Sequence, residues 1–132
     1  MLLRETALET IERIEPNLFR LTVNTGVELT RHILLDQYAF MDRYNEGESF
    51  GVLDDRIHEY SYSADGLRSI GDHANLRAVA IWVADVKHWN VAEIHETYPR
   101  QTRTPLRLFL CRDEAIRWLR ECLAQVDDCP AH

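Results

Sequence analysis

Two stretches in the middle of the chain are apolar at nearly every position and then stop on aspartate. One is Phe50-Gly51-Val52-Leu53 before Asp54-Asp55, the other Leu76 to Ala84 before Asp85. Runs without alternation, bounded by turn signals, predict strands buried on both faces, as in the centre of a parallel sheet. Leu18-Phe19-Arg20-Leu21-Thr22-Val23 alternates instead, with Phe19, Leu21 and Val23 against Arg20 and Thr22. That period of two predicts a strand over Leu18 to Asn24. Pro16-Asn17 before it predicts a turn from another strand over Thr10 to Arg13.

Helical spacing accounts for most of the rest. Ile33, Phe40, Met41 and Tyr44, with Leu34 beside them, lie on one stripe and predict a helix from about Leu29 to Tyr44. Gly47 is placed to close it in the left-handed conformation. A short helix is expected from Ala64 to Ala74 with Ser63 as its N-cap, and another from Val86 to Thr97 behind Asp85. Leu106 to Leu110 reads as a fifth strand. Asp113 opens a last helix whose stripe is Ala115, Trp118, Leu119, Cys122 and Leu123. The element order ββαβαβαβα predicts an α/β fold with a mostly parallel sheet and an antiparallel first strand at its edge.

The chain has 132 residues, 45% of them hydrophobic, which suffices for one domain with a sizeable core. The expected layout is one domain over residues 1–125 and a flexible tail over 126–132. The net charge is −7, and the 14 arginines and the single lysine, Lys87, are scattered. Nucleic acid is therefore not an expected partner. No stretch reaches the roughly 20 apolar residues of a membrane span, and the first residues lack the pattern of a signal peptide. The cytoplasm is the expected location. The cysteines, Cys111, Cys122 and Cys129, are odd in number and lack CxxC spacing. They are read as free thiols, with Cys111 and Cys122 at apolar, buried positions.

The ending Arg112-Asp113-Glu114-Ala115-Ile116-Arg117-Trp118-Leu119 after a strand, the run Leu76 to Val83, and Val52-Leu53-Asp54 before a loop and short helix together resemble the small bacterial SpoIIAA-like, or STAS/SEC14-type, domains. The resemblance implies a five-stranded mixed sheet with helices mainly on one face. It also implies a non-enzymatic binding or regulatory module that acts through a protein partner or a small apolar ligand. The anti-sigma-factor antagonists of that group carry a phosphorylatable serine at the start of the helix after the third strand. Ser63 is the residue that could stand in for it here, without the neighbouring hydroxyl residue and the immediate glycine of the group's motif.

The residues offer few alternatives. Arg56, His58, Tyr60 and Tyr62 crowd the loop after Asp54-Asp55 and suggest a ligand or partner surface, since Tyr and Arg bring contact area and hydrogen bonds together. The competing reading is an exposed loop with its aromatics packed flat. Asp54, Asp55, Asp85 and His58 could instead form the acidic cluster of a small metal-dependent enzyme, against helix capping and loop solvation. His88 and His95 are seven apart, about 10 Å along a helix, too far for one zinc. No nucleophile elbow and no glycine-rich phosphate loop occurs, so no cofactor is expected. The Leu76 run is apolar on both faces around Trp82. If helices cover only one, a second copy of the chain would cover the other, which makes a homodimer a further expectation.

Overall fold

A computed structural model of the chain describes residues 1–83 and 103–128. The described elements, in order, are strands β1 (Leu2–Glu5), β2 (Glu9–Glu15), β3 (Leu18–Val23) and β4 (Glu28–Leu29), helix α1 (Arg31–Tyr44), strands β5 (Phe50–Asp55) and β6 (Ser61–Tyr62), helix α2 (Ala64–Arg68), strands β7 (Leu76–Trp82) and β8 (Leu106–Phe109), and helix α3 (Arg112–Asp128). The main sheet runs β1-β2-β3-β5-β7-β8. β1, β2 and β3 form an antiparallel meander. From β3 onwards every neighbour is parallel.

The mixed α/β class is the expected one. The sheet has six strands, one more than five, because Leu2–Glu5 adds an antiparallel strand outside the hairpin. The hairpin turns at Asn17, whose φ of 67° is the left-handed value a short polar side chain tolerates. β4 and β6 form a separate two-stranded parallel sheet, Glu28 opposite Ser61 and Leu29 opposite Tyr62. The chain from Arg56 to Ser63 is thus partly strand where an irregular loop was expected.

Side chains alternate across the sheet into two cores. Phe19, Leu21, Phe50, Val52, Val79, Ile81, Leu106 and Leu108 face α1 and α2. Leu18, Leu53, Ala78, Ala80 and Phe109 face Ala115, Ile116 and Leu119 of α3, with Trp82 and Trp118 half-buried at its border. β5 and β7 are apolar on both sides because each side meets a helix layer. The described helices therefore cover both faces, and the bare face that motivated a homodimer is covered by the chain's own α3.

α1 begins at Arg31, with Thr30 accepting the Ile33 N–H as N-cap. Its buried residues are Leu34, Gln37, Tyr38 and Met41, a stripe turned from the expected one, and Tyr44 is exposed. β8 ends at Phe109, so Cys111 is exposed in the turn before α3, not buried in a strand as expected; Cys122 is half-buried against the second core. Among the described residues no helix is long and apolar enough to cross a membrane. Asp85, Lys87, His88, His95, Cys129 and the helix expected over 86–97 lie outside the described residues.

Candidate functional site

Strand pleat decides the fate of the two aspartates that end β5. Asp54 continues the Phe50–Val52 face, and Asp55 the opposite, Leu53 face. Adjacent strand side chains point to opposite faces, and no cluster of three His, Cys, Asp or Glu side chains suited to a metal occurs among the described residues. The acidic cluster expected from Asp54-Asp55 is therefore split between the faces of the sheet.

Asp54 is almost fully buried and is the centre of the first site. The Tyr60 hydroxyl lies 2.8 Å from both carboxylate oxygens, and the Tyr62 hydroxyl donates to Oδ2 at 3.1 Å. The two residues are two apart around β6, so both rings lean the same way, with centroids 5.7 Å apart. Arg56 is buried beside them. Its guanidinium stacks on the Tyr60 ring at 4.2 Å, and Nη2 donates to the Tyr60 carbonyl oxygen at 2.8 Å. Its Nη1 is buried and has no hydrogen-bond partner among the described residues.

Burial holds the Asp54 carboxyl above the usual carboxylate range, while the Tyr60 hydroxyl, the Arg56 charge and the Tyr62 hydroxyl pull it back. The Tyr60 and Tyr62 phenols stand well above the usual tyrosine value, first through burial and next through the Asp54 charge. These groups bind one another. The arrangement ties the loop to the end of β5.

Backbone pairing fixes the loop from both ends. The Arg56 N–H donates to Trp82 O at 3.0 Å, extending the β5–β7 ladder, while Gly26 N–H donates to Glu59 O at 2.8 Å and Ser61 N–H to Val27 O at 3.0 Å. Between these anchors Ile57 stands out, 47% exposed. A shallow groove of about 250 Å³ is lined by Gly26, Val27, Glu59, Tyr60 and Ser61, where the later part of the loop meets the segment before β4.

Of the residues read from the sequence as a contact surface, Arg56, Tyr60 and Tyr62 come together, but inward, on Asp54. His58 is half-buried and takes no part in that network. Ser63 is the N-cap of α2: its Oγ accepts the Gly66 N–H at 3.1 Å and donates to the Asp65 carboxylate. That hydroxyl holds Asp65 below the usual carboxylate range. A phosphate on Ser63 would meet the Asp65 charge directly.

On the other face, Asp55 is paired with Arg20, whose Nε donates to Oδ2 at 2.8 Å and whose Nη1 reaches Glu12 at 3.5 Å. Asp55 Oδ1 is buried without a hydrogen-bond partner among the described residues. The register placing Arg20 one strand from Asp55 is not visible in the sequence, although an arginine inside an apolar strand is a signal for a buried carboxylate. A third network, Glu9 with Arg4, Thr6 and the buried Gln37, ties β1 and β2 to α1. It was not foreseen either.

No protein-family model matches the chain, and no curated protein sequence does. The chain is similar to a solved structure from Shewanella loihica PV-4, described as an uncharacterised protein of the DUF3478 family with a SpoIIAA-like fold. The two are 17% identical with a TM-score of 0.49, and the match covers 89% of this chain and 98% of the other.

Proposed function

We propose that the chain is a non-enzymatic binding module that engages a protein partner through the surface of the 56–63 loop. The observation that carries this reading is the division of labour in the loop. Tyr60 and Tyr62 are spent on Asp54 and Arg56 on Tyr60, which holds the backbone, while Ile57 and the groove at Glu59–Ser61 are open to solvent. Preorganised backbone with one protruding apolar side chain is what a recognition surface needs, because little conformational entropy is lost on binding. The groove is open and shallow, which suits an apolar side chain of a partner better than an enclosed small molecule.

Native mass spectrometry of the chain isolated from its own cells tests the proposal. The wild type is expected to carry a protein partner that Ile57→Asp lacks, with unchanged far-UV circular dichroism. A small apolar adduct in place of a protein would move the reading to ligand binding. An unliganded wild-type chain that turns over a metabolite would overturn it.

A further inference from the structure

The second face of the molecule carries a separate groove of about 290 Å³ between α3 and β2, lined by Ile14, Glu15, Arg112, Asp113, Ile116, Arg117 and Arg120. Three of its walls are guanidinium groups. Arg120 is spoken for: its Nε and Nη2 grip both oxygens of Glu15 at 2.8 and 2.7 Å, a bidentate pair that closes one side. Arg112 and Arg117 line the same groove and make no hydrogen bond or ion pair among the described residues. Ile14 and Ile116 supply apolar surface between them.

We infer that this groove is an oxyanion site, built for a small molecule with two or more negative charges such as a phosphate ester or a polycarboxylate. Charge placement is the first reason. The chain is strongly acidic at −7, yet the segment from Arg103 to Arg120 carries five arginines against Asp113 and Glu114. Such a concentration is more than solubility asks of an acidic protein. The second reason is geometry. Guanidinium is a planar fork of donors that matches the oxygens of phosphate and carboxylate, and it is weakly hydrated, so it gives up water readily. Arg112 and Arg117 are five residues apart, about 7.5 Å along the helix axis, yet both line the same half-enclosed groove of small-ligand size, so one ligand can bridge the two forks. Two carboxylates share the lining, Glu15, which Arg120 neutralises, and Asp113, so the three arginines leave the groove net positive. Acidic groups beyond about 8 Å are largely screened at physiological salt, while contacts inside a groove are screened less. The site lies on the α3 side of the sheet, away from the Ile57 loop, and does not depend on the partner proposed there.

The test is calorimetry and amide NMR on the full chain with two probes, inorganic pyrophosphate and citrate, at physiological salt. Saturable binding of at least one probe with one-to-one stoichiometry is expected, with amide shifts centred on Ile14, Glu15, Ile116 and Arg117. The double substitution Arg112→Gln/Arg117→Gln should weaken it by about tenfold or more, and Arg103→Gln, outside the groove, should leave it unchanged. Among the described residues neither substituted groove arginine makes a side-chain hydrogen bond or ion pair, so the urea midpoint should not move, which separates loss of binding from loss of fold. Tighter pyrophosphate assigns the site to phosphate esters, and tighter citrate to carboxylates. No saturation by either probe up to about 10 mM, or equal weakening by Arg103→Gln, overturns the site.

Discussion

Asp54 is a carboxyl group placed where carboxylates are costly, and the surrounding side chains show how that cost is met. Two phenols donate to it and one guanidinium lies near, yet burial still holds its pKa above the ordinary value. Tyr60→Phe removes the hydroxyl shared by both oxygens and leaves a buried acceptor short of a donor. The expected cost is about 1–3 kcal/mol in urea unfolding. The pH dependence has a definite sign. A carboxyl whose folded pKa exceeds the unfolded value of about 3.9 favours folding most in its protonated form. Its contribution is complete below that pH and is lost as pH rises through the folded value. Asp54→Asn should therefore remove a fall in stability that the wild type shows from about pH 4 upwards. The urea midpoint of the variant relative to wild type should rise with pH; a pH-independent difference would refute the assignment. At this scale the crowding of Arg56, Tyr60 and Tyr62 was legible in the sequence. Their inward direction was not, because it depends on which face of β5 the neighbouring aspartate takes.

The elements around the site are held by contacts that single substitutions can break. α2 lies so close to β4 that a β-carbon on Gly66 would run into the Leu29 carbonyl oxygen, which also accepts the Ser63 N–H at 3.0 Å. Gly66→Ala must push α2 away from the small sheet that carries Tyr62. About 1–3 kcal/mol of destabilisation is expected, and amide exchange at Ser61 and Ser63 should speed up more than in β5. Loss of stability with unchanged exchange there would break the link between α2 and the loop. Thr30→Ala, by contrast, loses only the cap of α1, about 1 kcal/mol, and should leave the loop alone. The helix existed in the sequence pattern, but its roll did not. Gln37 is fully buried because its amide donates to the buried Glu9 carboxylate at 2.9 Å. A pattern scored on hydrophobicity places glutamine outside and so rotates the whole stripe. β1 escaped for a related reason: Leu2-Leu3-Arg4-Glu5 has no alternation, and its strand pairing is held by Arg4 reaching Glu9 and Asp36.

For the whole molecule, the doubly apolar strands β5 and β7 specified that two layers must cover the sheet, while leaving open whether the second came from the chain or from a copy of it. Element order could not decide, because the last helix can follow β8 to either face. α3 settles it by packing Leu119 into the second core, where Gly51 has no side chain and a β-carbon would come within 3.4 Å of the Leu119 methyl. Arg120 then ties the helix to Glu15, 105 residues earlier in the chain. A terminal helix joined to the centre of the sheet and to its N-terminal hairpin cannot leave without uncovering β5 and β7, so it should unfold with the sheet and not before it. Trp82 and Trp118 both border the second core, so their fluorescence reports on α3 docking, while far-UV circular dichroism reports on all elements. Coincident urea transitions by the two probes are expected. Leu119→Ala should shift both together, by about 2–5 kcal/mol. A fluorescence transition that precedes the dichroism transition would mean that α3 is a detachable cover. In that case the second face could be uncovered in the folded protein after all, and a partner subunit would again be needed to bury it.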